Sequence, residues 1–176
     1  PGVTGFAGGR PKPQEVVEEL CRKVMNYLDC HTFFNYLVEE EKKRLRLNAY
    51  AGVPDEEARK IEWLNFGVAV CGCAARDGVR IVAENIPGTF DPRTDLVRSY
   101  GIKAYACHPL LSRGKVIGTL SFGTRSRLSF SEDDLSLMRT VADQVSIAME
   151  RIRMLEMASK RADELDRMVR ERTHDL

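Results

Sequence analysis

The chain has 176 residues, of which 43% are hydrophobic, so it can bury one core but not two. Its 27 Lys and Arg residues against 26 Asp and Glu residues give a net charge of +1, and this balance argues against nucleic acid or an acidic membrane as the partner. The longest strongly apolar stretch, FGVAVCGCAA, is far shorter than the ~20 residues of a membrane helix.

The N-terminal part of the chain predicts a linker, a helix and a hairpin. Residues 1–12 are rich in Gly and Pro and predict a flexible linker. Pro13 suits a first helical turn, and apolar residues at helical spacing follow it as far as Leu28. Residues 30–39, CHTFFNYLVE, predict a strand, and residues 44–51, RLRLNAYA, alternate as its hairpin mate.

The middle of the chain predicts short elements separated by turns. Pro54 and the three acidic residues after it open a short helix that runs toward Trp63. The small-residue segment GVAVCGCAA predicts a turn or helix, and the Asp77-Gly78 turn then leads into a third strand, VRIVAENI. The segment TFDPRTDLVRSYG predicts a loop with a short helix that ends at Gly101.

A hairpin and an unusually long helix close the chain. Two apolar runs flank the basic turn Ser112-Arg113-Gly114-Lys115, in which Gly114 can take a positive φ. The helix starts at Ser131, and no stop signal precedes Leu176. At ~1.5 Å per residue it would span on the order of 60 Å, about twice the width of a small domain. Part of it must therefore project, and the projecting part needs a partner.

An apolar seam along this helix predicts that partner to be a second copy in a parallel coiled coil, the alternative being a lone frayed tail. The seam consists of Leu135, Met138, Ala142, Val145, Met149 and Ile152, followed by Leu155, Ala158, Ala162, Leu165 and Val169. The steps after Ile152 are both of three residues, so we predict a stammer at that point. The predicted dimerisation residues are Met149, Ile152, Leu155, Ala158, Ala162 and Leu165.

The order of these elements indicates the fold class. Strands that follow one another through hairpins and short helical excursions, with a helix at each end, predict an antiparallel sheet with helices segregated to one face. We therefore expect an α+β fold.

Two segments resemble the GAF domains of prokaryotic sensor histidine kinases and related signalling proteins. They are AVCGCAARDGVRIVAENI and the run from GIKAYACHPLLSRGKVIGTLSFGT through the start of the long helix. The resemblance covers residues 13–154, and residues 155–176 are similar to the helices that link such domains to a following signalling module. It implies about six antiparallel strands, the N-terminal and long C-terminal helices on one face, and a ligand pocket on the other.

This resemblance implies sensing but not a ligand, because the family hosts cyclic nucleotides, bilins, haem, small metabolites or nothing. We expect a homodimeric sensory module, excised from a larger protein such as a histidine kinase, that binds a small ligand or senses redox state. Five cysteines without framework spacing suggest reduced thiols and a cytoplasmic setting, and no signal peptide is visible. No kinase motif is present, and His174 is interpreted as a tail residue.

Three cysteines and one histidine are the residues most able to carry chemistry. Cys71 and Cys73 are small enough to be packing residues in a crowded turn. Zinc is disfavoured, since Cys107 and His108 are strand neighbours that point to opposite faces and Cys-x-Cys is tighter than the usual ligand spacing. Haem stays open because it needs a single axial ligand, which His108 or Cys107 could supply. A bilin is disfavoured because the Cys-His pair of phytochromes lies ahead of this strand.

Strand alternation offers two candidate floors for the pocket, one with His108 and one with Cys107. Because Ala104 and Ala106 leave space, we predict that the His108 face is the floor, with the Cys71 turn, Trp63 and Phe66 as walls. The candidate ligand-binding residues are His108, Cys107, Cys71, Cys73, Trp63 and Phe66.

An enzyme is the main alternative function. GAF-fold free-methionine-sulfoxide reductases resemble this chain around VCGCAA, where Cys71 matches one of their cysteines. Their catalytic cysteine lies in the loop before the PLL-type strand, and the corresponding loop here, residues 88–101, contains none. We therefore expect no catalysis from this fragment.

Overall fold

The computed structural model describes residues 12–174, so the predicted linker lies, apart from Lys12, outside the described residues. A six-stranded antiparallel sheet has the order β3-β2-β1-β6-β5-β4. Its strands are β1 Thr32–Glu39, β2 Arg44–Ala51, β3 Trp63–Asn65, β4 Ile81–Ala83, β5 Ala104–Ser112 and β6 Lys115–Thr124. The helices are α1 Pro13–Tyr27, α2 Asp55–Lys60, α3 Ala69–Asp77, α4 Asp95–Ser99 and α5 Glu132–His174. The expected α+β fold is confirmed.

Each face of the sheet carries its own hydrophobic core, because successive residues of a strand point to opposite sides. The expectation of a single core is therefore wrong. Phe33 of β1 lies in the core formed with α1 and α5, whereas its neighbour Phe34 lies in the core formed with α3 and the loops before and after it. On β5, Ala106 belongs to the first core and Cys107 to the second. The helix α3 is held on β5 and β6 in this second layer.

The sequence did not indicate the strand β3 separately. It has three residues and pairs at the edge of the sheet with β2, for example Leu64 with Leu45. Three residues are too few for a period-two pattern to be recognised, which explains why the sequence predicted only a helix running toward Trp63.

The start of α5 follows the local sequence closely. The Ser131 hydroxyl accepts from the Asp134 amide at 3.1 Å, and the Asp134 carboxylate accepts from the Ser131 amide at 3.0 Å. Phe130 and Leu135 are both buried on either side of this reciprocal cap. The predicted start is therefore confirmed. Among residues 12–174 no helix is long and apolar enough to cross a membrane.

The long apolar seam of α5 proves to be two stripes on different faces of the helix. The first packs on the sheet and consists of Leu135, Met138, Ala142, Val145, Met149 and the half-buried Ile152. The second is exposed and consists of Leu155, Ala158, Ala162, Leu165 and Val169. At 3.6 residues per turn the two stripes point roughly 150° apart.

This arrangement corrects the prediction of one continuous seam with a stammer. Met149 is buried in the domain's own core and Ile152 packs against it, so neither residue projects toward a partner. The exposed stripe also begins earlier than predicted, because Ile147 and Met154 lie on the outer side of α5 and are 66% and 54% exposed. The two consecutive steps of three residues after Ile152 therefore mark the point where the apolar stripe moves to another face of α5.

Candidate functional site

The candidate site lies where α3 packs on the centre of the sheet, on the face away from α1 and α5. The segment forms a helix close to neighbouring backbone because its side chains are small. A Cβ on Gly72 would lie 2.4 Å from the carbonyl oxygen of Asn65, so only glycine fits there. The helix ends at Gly78, whose φ of 66° is the left-handed conformation expected of a C-terminal glycine. The sequence predicted a turn or a helix for residues 67–75, and the helix is correct.

A buried polar cluster joins α3 to β5 and β6. The Cys71 sulfur lies 3.1 Å from the Tyr105 hydroxyl oxygen and 3.7 Å from the Ser121 hydroxyl oxygen. Tyr105 donates to Ser121, which donates in turn to the carbonyl oxygen of Phe34 at 3.3 Å. Cys107 lies beside this chain of hydrogen bonds, since it is directly opposite Ser121 on the neighbouring strand.

The two thiols of this cluster differ in acidity. Hydrogen bonds, first of all from Cys107 and then from Tyr105 and Ser121, lower the pKa of Cys71 to about 7 even though burial raises it. Burial raises the pKa of Cys107 well above its usual range, and contact with Cys71 adds to that rise. Cys71 is therefore the residue of the pair that carries a thiolate more easily.

The cavity at this site is nearly closed. It measures about 10 Å³ and is lined by Phe34, Tyr36, Ile61, Leu64, Ala69, Val70, Cys71, Leu96, Val97 and Tyr105. Tyr36 helps to close it by donating to the Ile61 carbonyl at 2.7 Å. Such a volume accepts at most one water-sized molecule, whereas small-molecule pockets occupy roughly 300 to 1,000 Å³. A metabolite, haem or bilin would therefore require α3 and α4 to move away from the sheet.

His108 lies on the other face of the sheet, so the prediction that it shares a pocket with the Cys71 turn is wrong. Ala104, Ala106 and Leu110, which alternate with it, pack in the core beneath α1 and α5. The imidazole is only 4% exposed, and neither of its nitrogens has a hydrogen-bond partner. Burial, and after it the charges of Arg80 and Arg139, lower its pKa to about 4.

The physical reason for this error is helix packing. In the sequence, the small side chains at Ala104 and Ala106 predict space for a ligand. In the structure they share a core with the buried α5 residues Met138 and Ala142, and small residues let a helix approach a sheet closely. An alanine pair on a strand therefore indicates a close neighbour as readily as a cavity.

The remaining predicted site residues are divided between the core and the surface. Cys73 is buried in the same cluster as Cys71, where its thiol donates to the Gly67 carbonyl at 3.4 Å, and Phe66 packs against that cluster. Trp63 is 41% exposed on the edge strand, with the Arg44 guanidinium 3.7 Å from its ring centroid. Trp63 is therefore not a wall of the cavity.

Two further members of the cluster were not among the candidate residues. Tyr105 and Ser121 are fully buried polar side chains on central strands, and both face α3. Strand alternation provides a sequence signal for both residues, because side chains two positions apart on a strand share a face. Tyr105 lies two residues from Cys107, and Ser121 lies two residues from Thr119. In residues 12–174 no group of three or more His, Cys, Asp or Glu side chains is arranged to hold a metal ion.

The fold defines an α+β domain with a six-stranded antiparallel sheet, and the comparisons give its family. The family model for the GAF domain matches residues 12–150, so the chain belongs to the GAF family. A search of curated proteins found no match.

Solved structures with the same fold come from proteins of several kinds. The GAF domain of the phosphoenolpyruvate-protein phosphotransferase of Acinetobacter is 18% identical with a TM-score of 0.70, over 82% of this chain and 86% of that one. A domain of a putative two-component sensor histidine kinase from Sinorhizobium meliloti is 20% identical with a TM-score of 0.66, over 85% and 98%. The free methionine-R-sulfoxide reductase of Neisseria meningitidis is 19% identical with a TM-score of 0.63, over 80% and 81%. At these identities the likeness shows the fold alone.

Proposed function

We propose that the chain is the sensory module of a cytoplasmic signal-transduction protein. A change at the α3 site is relayed through β5 and α5 to a coiled coil formed with a second copy, and from there to a signalling module in the same protein. A sensor histidine kinase is the parent we favour, since a domain of one such protein has this fold. The fragment itself is a receiver of signals and not an enzyme.

The observation that carries this proposal is the division of α5 into two apolar stripes. The inner stripe fixes the first half of the helix to the sheet, and the outer stripe runs along the exposed face of the same unbroken helix. The helix from Leu155 to His174 is exposed throughout. An isolated helix of that length is marginally stable in water, and burial of the outer stripe against a second copy would stabilise it.

The strand β5 provides a physical connection between the two faces. Cys107 contacts the α3 site, while its neighbours Ala106 and His108 face the helix side, and β5 is the strand that α5 contacts most. A shift of β5 that follows a change around Cys107 therefore acts on the packing of α5. An input can bias this arrangement only by its difference in affinity between the two states.

The proposal is tested at Ala162, a small residue in the middle of the exposed stripe. Ala162→Glu in both copies places like charges at a buried seam, so we expect a marked shift from dimer to monomer in analytical ultracentrifugation. The matched control is Lys160→Ala, which changes the net charge by the same −1 on the opposite side of the helix. The control should remain dimeric. A monomeric wild-type chain, or an Ala162→Glu chain that stays dimeric, contradicts assembly through this stripe.

A further inference from the structure

Cys71 and Cys107 are brought together from different layers of the fold. Cys71 projects from α3 and its sulfur lies 3.7 Å from the Ser121 hydroxyl oxygen. Cys107 is the residue of β5 directly opposite Ser121, and side chains opposite one another on paired antiparallel strands have Cβ atoms about 5 Å apart. Both cysteines therefore lie next to Ser121, on the face of the sheet that α3 covers. Cys107 is also the neighbour that lowers the pKa of the Cys71 thiol most.

The other cysteines do not share these properties. Cys21 and Cys30 lie in the core on the opposite face of the sheet, and burial raises the pKa of each to about 12. Cys73 lies two residues from Cys71 on the same helix, so the two side chains point away from each other. Its thiol is directed at the Gly67 carbonyl.

The near-closed cavity gives a route to one thiol of the pair. Cys71 lines the cavity, whereas Cys107 does not and is completely buried. Cys71 is 5% exposed and has the lowered pKa of about 7 described above. A molecule of nearly the size of water thus meets Cys71 first, and Cys107 lies behind it.

We propose that Cys71 and Cys107 form a reversible disulfide when the domain meets hydrogen peroxide, which makes the α3 site a thiol modification site. This proposal rests on the proposed sensory function and names its input. The Cys71 thiolate attacks one peroxide oxygen, the O–O bond breaks, and Cys71 becomes a sulfenic acid as the first water leaves. The Cys107 sulfur then attacks the Cys71 sulfur, the S–S bond forms and a second water leaves. The two thiols lose two electrons and two protons, and one peroxide is reduced to two waters.

The bond would change the contacts that hold α3 to the sheet. Once the Cys71 sulfur is bound to Cys107, it no longer donates a hydrogen bond to Ser121, and its hydrogen bond with the Tyr105 hydroxyl is disturbed. The cross-link also ties α3 covalently to β5, whose opposite face lies under α5. An external dithiol restores both thiols by exchange.

The experiment treats the whole chain with hydrogen peroxide at pH 7.5, blocks free thiols and maps the peptides without reduction. We expect one intramolecular bond between the peptides that contain Cys71 and Cys107, and its loss after dithiothreitol. Cys107→Ser should stop the reaction at the sulfenic acid, so Cys71 becomes labelled by dimedone. Cys71→Ser should abolish both the bond and the label. Cys21→Ser and Cys73→Ser are controls that should retain the bond.

Several outcomes overturn this assignment. They are a Cys71–Cys73 bond, a bond between chains, oxidation of Cys21 or Cys30 ahead of Cys71, or five unmodified thiols after treatment. Cys107→Ala serves as a second variant if Cys107→Ser fails to fold, and circular dichroism checks each variant before oxidation. The test is separate from that of the proposed function, because dimerisation is measured on the reduced chain and the bond by peptide mass.

Discussion

At the scale of single residues, His108 is a buried imidazole that the fold keeps neutral. Its pKa of about 4 lies below the ordinary value of 6.5, so the proton binds more readily to the unfolded chain. Above pH 6.5 both states are neutral and the residue adds no pH dependence. Between pH 6.5 and about 4 the unfolded chain takes up the proton and the folded chain does not, so the free energy of unfolding falls.

The resulting prediction concerns acid stability. A shift of this size corresponds to about 3 kcal/mol lost across that range. His108→Leu removes the titrating group from a site where neither nitrogen has a partner, and Leu suits the adjoining apolar core. We expect urea unfolding from pH 7 to pH 4 to show a smaller loss of stability in the variant than in the wild type. Parallel curves for the two proteins across this range would contradict the buried, neutral assignment.

At the same scale, the cysteines show that residue type alone does not determine the role of a side chain. The sequence identified Cys71, Cys73 and Cys107 as residues able to carry chemistry and allowed for their being packing residues. Their roles separate only in the structure, where Cys73 is directed at a backbone carbonyl and Cys71 joins a polar chain with Tyr105 and Ser121. The difference depends on neighbours that are distant in sequence.

At the scale of elements, the β5–β6 hairpin offers a clean test of turn chemistry. Its two loop residues, Arg113 and Gly114, have φ values of 52° and 76°. A two-residue loop with positive φ at both positions is the type I′ turn, which favours Asn-Gly. The sequence indicated Gly114 as the positive-φ residue, and that prediction is confirmed. It did not indicate that an arginine would adopt the same conformation.

We therefore expect Arg113→Asn to stabilise the domain by about 0.5 to 1 kcal/mol, because asparagine enters the left-handed region more readily than arginine. Thermal and urea unfolding measure this change. The companion variant Gly114→Ala should destabilise by about 1 kcal/mol, since no atom lies within 4 Å of the added Cβ and the cost is conformational. A stabilising Gly114→Ala, or an Arg113→Asn that destabilises, would be inconsistent with this turn.

At the scale of the whole molecule, the closed α3 site bears on the rival enzymatic function. Free methionine sulfoxide cannot fit a cavity of about 10 Å³, and both Cys71 and Cys107 are buried between α3 and the sheet. The loop at residues 88–101 contains no cysteine. A thiol cycle on an amino acid would therefore require α3 to move away from the sheet.

We predict no reduction of free methionine-R-sulfoxide by the chain with thioredoxin or dithiothreitol as reductant. The assay follows methionine formation, with an established reductase of the same fold as the positive control. Turnover that depends on a thiol and disappears in Cys71→Ser would overturn the non-enzymatic proposal. It would also show that α3 opens far enough to admit an amino acid.

The sequence by itself determined the local features of this protein. The Ser131 cap, the glycine turns and the alternation along residues 104–112 are decided by neighbours close in the chain, so short patterns predict them. The α+β class followed from the order of elements, and the family resemblance added the number of strands.

Only the tertiary structure decided which layer covers each face. Alternation separates Cys107 from His108, but it does not say whether α3 or α5 lies above either residue, because that depends on packing between distant segments. For the same reason the helical pattern after Ile152 could be interpreted as a stammer, although the inner stripe ends there and an outer stripe continues. The volume left beneath α3 likewise depends on how ten side chains from several elements fit together, and no local pattern encodes that fit.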